Sequence, residues 1–315
     1  MITQQESNSV TIIRTFSMFM IVICHLFQAY NHSLAAVFNV GVQVFFIISG
    51  FLYGHKNVSD WNLWYKKRLL KLYIPYIIVA FSVMLIHIIA ETANVRWYNV
   101  VGYITNLHGL RQVIDIPLNV SGLNHLWFMT AIMFAYIATP IAQYLKKNSF
   151  LFLSLMLSVL APIYLYLPAK LLWGLEWVWL YMFGYFFANI SSKQRTLVGV
   201  AFIIAFIIIL PYIHSEADIA NYSRMGRISH CALGVTIFYL GLLFFKGIKN
   251  VPRFILFFDK HSFYIFLAHF PLMVGSLSLS QVTSNNYVNV ALMIIASAFS
   301  TILLEFSSKK ISKLF

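Results

Sequence analysis

The chain has 315 residues, 60% of them hydrophobic and only 10% charged, with a mean hydropathy of +0.79. Soluble domains carry roughly 25% charged residues, so a water-soluble globule is excluded. The net charge of +13 comes from 22 Lys and Arg against 9 Asp and Glu. These cations stand in short clusters between apolar runs, which is a pattern of membrane topology rather than of nucleic-acid binding, and no nucleic-acid partner is expected.

A spanning helix needs about 20 mostly apolar residues. Ten such segments are expected, over 10–30, 35–54, 72–91, 124–144, 149–168, 172–190, 197–213, 228–246, 261–281 and 287–306. The sequence therefore predicts an all-α, polytopic membrane bundle forming a single domain over 1–315. With the N-terminus in the cytoplasm, sixteen Lys and Arg fall in inner segments and five in outer ones. That bias places both termini inside. The apolar stretch 98–110 is too short to span and is expected at the interface. The outer segments 92–123 and 214–227 are the long external ones. No removable signal peptide is expected, because the first run is long and lacks a small-x-small cleavage site. Cys24 and Cys231 sit in or beside apolar runs without metal-ligand spacing, so they read as small hydrophobes and no metal site is expected.

Ionisable groups inside a bilayer are costly and mark candidate function. The first segment carries two, Arg14 and His25. Eleven residues make three helical turns plus roughly 20°, so both lie on one face, separated by about 16 Å along the axis. They suit opposite ends of one elongated ligand or the lining of one cavity; the alternative is a snorkelling arginine and a packing histidine. The second segment runs Gly41-Val42-Gln43-Val44-Phe45-Phe46-Ile47-Ile48-Ser49-Gly50-Phe51. Ser49-Gly50 is a small-residue pair that allows close helix approach.

Four cations, Lys66, Lys67, Arg68 and Lys71, precede the third segment. They suit either lipid headgroups or the phosphates of an anionic ligand. His125 and Trp127 open the fourth segment on its outer side, the tryptophan fitting an interfacial belt. His269 lies in the ninth segment beside Pro271, which loosens the helix there. Glu305, near the inner end of the tenth, is a second buried charge, with partners such as Arg14 or Arg68 left open.

Together these stretches resemble the acyltransferase-3 family of membrane acyltransferases. Arg14, ten residues, then His25 matches its first-helix hallmark. Gly41 to Phe51 matches its second-helix run, with Gln43 where many members carry Asp. Tyr65–Pro75 matches its basic stretch, Trp127-Phe128-Met129 its Trp-Phe-Leu element, and Ser262–His269 its late Ser-x-x-x-Tyr-x-x-His element, with Phe266 at the tyrosine position. Glu305 matches its closing glutamate, although no proline follows. The resemblance covers residues 10 to about 306, in a stand-alone form without a C-terminal hydrolase-like domain.

The resemblance implies transfer of an acyl group, usually acetyl, from cytoplasmic acyl-CoA to a hydroxyl of a cell-surface polysaccharide or its lipid-linked precursor. The protein is then expected in the cytoplasmic (inner) membrane, among its lipids. Arg14, Lys67, Arg68 and Ser49 are expected to hold acetyl-CoA. His25, with Arg14, is expected to be catalytic, as a general base or as an acyl-histidine nucleophile. His125, Trp127, His269 and Glu305 are expected near the acceptor. The competing readings are a glycan or lipid flippase, which would favour internal repeats not found here, and a non-catalytic membrane sensor.

Overall fold

The structure, a computed structural model, describes residues 2–112, 116–166, 169–213 and 224–314. Most of the expected outer segment 214–227 therefore lies outside the described residues. Among the described residues every regular element is helical. They are α1 (Gln4–Ala29), α2 (Leu34–Phe38), α3 (Gly41–Gly54), α4 (Trp61–Ala90), α5 (Trp97–Ile104), α6 (Trp127–Ile137), α7 (Thr139–Leu145), α8 (Ser149–Tyr166), α9 (Ala169–Asn189), α10 (Ser192–Ile213), α11 (Arg224–Phe245), α12 (Arg253–Ala268), α13 (Phe270–Met273) and α14 (Asn286–Ile311).

Local chemistry fixes the ends. Thr3 and Glu6 form a reciprocal cap at the start of α1: the Glu6 amide donates to Thr3 Oγ1 (3.2 Å) and the Thr3 amide to Glu6 Oε2 (3.1 Å). Asn31, left-handed at φ 52°, closes its other end. Asp60 caps α4 by accepting from the Leu63 amide (2.9 Å), and Asn285 caps α14. Among the described residues, six helical runs, one of them Leu34–Gly54 across α2 and α3, are long and apolar enough to cross a membrane, and there are seven if α6 and α7, bent by 40°, count as one span. The outward faces fit lipid: on α10, Ile207 and Ile208 are 61% and 69% exposed. Isoleucine at that exposure on helix after helix is at home in hydrocarbon, not water. This is a multi-pass membrane protein.

The expected segments differ from the helices chiefly in four places. The segment 35–54 is two helices, α2 and α3, and 124–144 is divided between α6 and α7. The helix of the third expected segment, α4, starts at Trp61, so the basic stretch forms its first turns. The expected ninth span, 261–281, is not one helix. Helix α12 begins earlier, at Arg253, and stops at Ala268; the single turn α13 follows, and the chain is irregular from Val274 to Asn285. The physical reason is Pro271, which lacks an amide proton and breaks the ladder.

The chain divides into two compact units, Met1–Ile21 with Ala36–Asn57 and Ala131–Lys260, and Val22–Ala35 with Val58–Thr130 and His261–Phe315. In the first, α3 crosses α9 at small residues. A Cβ on Gly50 would strike the backbone of Tyr181, and one on Gly184 the backbone of Ile47. This backbone-to-backbone approach is the small-residue packing expected for Gly50. In the second, α14 packs on α4 and α13 on α14. There too, Gly122 (φ 74°) and Gly275 (φ 106°) touch across two loops, where only glycine tolerates both the conformation and the contact.

Candidate active site

Three histidines meet in the second unit. His25 comes from the last two turns of α1, His125 from a single 3-10 turn before α6, and His269 from the break between α12 and α13. His25 Nδ1 lies 2.7 Å from His269 Nε2. The His125 ring lies 6.1 Å from that of His269, centroid to centroid. Phe270 fills the remaining side, stacked on His125 (4.5 Å) and edge-on to His25 (4.6 Å). His125 and His269 are buried, whereas His25 is half-buried. No carboxylate among the described residues pairs with any of the three rings.

Pro271 explains how His125 is held. Without an amide proton, it leaves the carbonyl four residues back, Leu267, with no helical donor. His125 Nε2 donates to that carbonyl at 3.1 Å. The histidine thus repairs the ladder that the proline breaks, a substitution that hydrocarbon surroundings demand. The turn bearing His125 is anchored to the segment after Pro271, since the Ser276 amide donates to Ser121 Oγ (2.9 Å). His125 Nδ1 is buried with no hydrogen-bond partner.

Arg14 belongs to the first unit. Its guanidinium forms a two-pronged ion pair with Asp259, Nε to Oδ1 at 2.5 Å and Nη2 to Oδ2 at 2.6 Å. Two of its five N–H groups are so used and three remain. Arg14 and His25 stand on one unbroken helix, as their spacing predicts. Glu305 pairs with neither Arg14 nor Arg68. It binds His261 Nδ1 and Lys309 Nζ, both at 2.6 Å, because one turn of its own helix brings Lys309 alongside. Ser49 is half-buried, and its hydroxyl donates to the Phe45 carbonyl of its own helix (2.8 Å). Lys67 is exposed on α4, and Trp127, half-buried, opens α6.

Sequence reasoning misses Asp259 and His261. Asp259 sits in the apolar run Phe254–Ala268 and is the kind of isolated charge that marks function, but the expected span starts two residues later and leaves it in a loop. A polar recess of about 450 Å³ in the first unit is lined by Glu6, His55, Asn57, Lys146, Asn189 and Arg195. Burial holds His55 and Lys146 below their ordinary pKa values. The cations there are already engaged. Arg195 donates to the Phe187 and Ala188 carbonyls (both 2.8 Å) and to Glu6 (2.6 Å); Lys146 donates to the Lys56 carbonyl (3.1 Å) and Asn57 Oδ1 (2.5 Å). They close the carbonyl ends of α9 and α3, which is helix capping rather than a phosphate site.

The site is thus a histidine cluster in a many-helix membrane protein, with two rings buried and one half-buried. The match to a known family gives the protein its class. The chain matches the acyltransferase domain model of the acyltransferase-3 family over residues 7–307, and it belongs to that family. It is therefore a membrane acyltransferase. No curated protein and no solved structure matches the chain significantly.

Proposed function

We infer that this protein moves an acetyl group from cytoplasmic acetyl-CoA to a hydroxyl of a cell-surface polysaccharide or its lipid-linked precursor, at the cytoplasmic membrane with both termini inside. The observation that carries this reading is the histidine cluster around His25, in a chain of the acyltransferase-3 family. Half-buried His25 is the base: it takes the acceptor's hydroxyl proton as the oxygen attacks the thioester carbonyl, a role that contributes about 10²–10⁴-fold. Arg14, oriented by Asp259, offers its three remaining N–H groups to the anionic donor, with Lys67 and Arg68 as further cations for it. The buried His125 and His269, with Trp127, lie on the acceptor's side of the chemistry.

Mass spectrometry of surface glycans from cells with and without the protein tests this reading. The expected result is an acetyl group present only with the protein. Identical spectra, with transport of a labelled glycan lost instead, would favour a flippase.

A further inference from the structure

The break at Pro271 does more than bend the chain: it aims an imidazole. His269 Nδ1 lies 2.8 Å from the Ile265 carbonyl. A carbonyl can only accept, so the proton of neutral His269 sits on Nδ1 and its Nε2 carries the lone pair. His25 Nδ1, 2.7 Å from that Nε2, must then be the N–H donor. This leaves His25 Nε2 as the basic nitrogen. A doubly protonated His269 would reverse the order, but it would be a cation in an apolar site with no carboxylate beside it. His125 is fixed the same way, its Nε2–H directed at the Leu267 carbonyl. Three neutral rings, two of them tied to backbone carbonyls, thus define a single proton arrangement.

Resting on the acyltransferase reading above, the geometry points to His269 as a positioning residue that fixes the tautomer of His25, so that Nε2 alone serves as the base. In the step this prepares, Nε2 takes the proton of the acceptor hydroxyl and the acceptor oxygen bonds to the acyl carbon. The carbon–sulfur bond then breaks, and the CoA thiolate leaves with the electron pair and recovers the proton from Nε2. His269 gives up no proton; it holds the Nδ1–H of His25 throughout. This is the division of labour of an oriented base and its partner in other hydrolytic and transfer sites, built here from two imidazoles instead of an imidazole and a carboxylate.

Substitutions at His269 test this in reconstituted vesicles. His269→Leu lowers kcat on the order of 10²-fold with KM for acetyl-CoA unchanged. His269→Gln, whose side-chain oxygen replaces Nε2 as the acceptor, restores kcat to within about 10-fold of the native enzyme. His269→Asn keeps a donor for Ile265 but is too short to reach His25, and stays as slow as the leucine variant. Packing alone would rank leucine at least as high as glutamine, and that order, or native kcat in all three, overturns the proposal. NMR of protein labelled at the histidine ring nitrogens gives a readout independent of turnover, with the His25 signals identified by their loss in His25→Gln. The proton is expected on Nδ1 of His25 in the native protein. A proton on Nε2 refutes the tautomer assignment even if transfer is observed, whereas absence of transfer with Nδ1 protonated refutes only the acyltransferase reading.

Discussion

At the residue scale, the two groups that stand out in the sequence each gain a partner from far along the chain. Arg14 meets Asp259 and His25 meets His269, at separations of 245 and 244 residues. The spacing of Arg14 and His25 was legible because both lie on one helix, where 3.6 residues per turn fixes the face. Their partners were not, because nothing local encodes a contact between the first helix and the twelfth. On the proposed reading, the ion pair orients Arg14 toward the donor. Asp259→Asn keeps the shape of the acid but removes its charge, freeing the guanidinium from its set orientation. The expected outcome is a KM for acetyl-CoA raised by about 10-fold with a smaller effect on kcat, measured by initial rates over a range of donor concentration. A fall in kcat alone would place Arg14 in the chemical step instead.

At the element scale, hydropathy predicted helices well and their breaks poorly. The run 261–281 carries no Asp, Glu, Lys or Arg, so composition reads through Pro271, and the lost amide ends the helix there. His125 repairs the gap, and its loss has a definite cost. His125→Leu leaves the Leu267 carbonyl buried and unpaired, costing about 1–3 kcal/mol of stability. Pro271→Ala in that background returns a backbone donor and is expected to recover part of the loss, as thermal unfolding in detergent would register. No recovery would mean that His125 acts by some route other than Leu267.

The segment between α4 and α6 gives a second test. His108 is fully buried, stacked on Tyr103 at 4.1 Å, with Nδ1 3.1 Å from Tyr76 Oη. Since Tyr76 donates to the Tyr103 carbonyl (2.7 Å), His108 Nδ1–H is the donor to Tyr76. Burial, aided by the nearby Arg111 cation, pushes its pKa from 6.5 down to about 3. The folded loop therefore needs the neutral ring, while the unfolded loop takes up a proton below about 6.5. Docking is fully stable above that pH and weakens as the pH falls toward 3, by up to about 1.4 kcal/mol per unit. The protection of the Trp97–Arg111 amides, taken relative to the intrinsic exchange rate at each pH, is expected to fall between pH 7.5 and about 5, and His108→Asn, which keeps the donor to Tyr76, is expected to remove that response.

At the scale of the whole molecule, the composition that excludes a soluble fold is the one that the outward isoleucines use, and the membrane class was open to view in the sequence. What sequence could not supply is how tightly the helices meet. Gly50 and Gly184 each sit where a side chain would enter the opposing backbone, so Gly184→Val is expected to destabilise the first unit by about 3 kcal/mol or more. Loss of folded protein on size-exclusion chromatography would register it. The proposed function assigns the base to His25, and transfer by the purified protein tests it most directly. Vesicles holding the protein are supplied with radiolabelled acetyl-CoA and glycolipid extracted from cells that lack it. The native protein is expected to move label onto the glycolipid, and His25→Ala, folded and present at the same level, to move none. Label transferred by His25→Ala at the native rate would contradict the assignment.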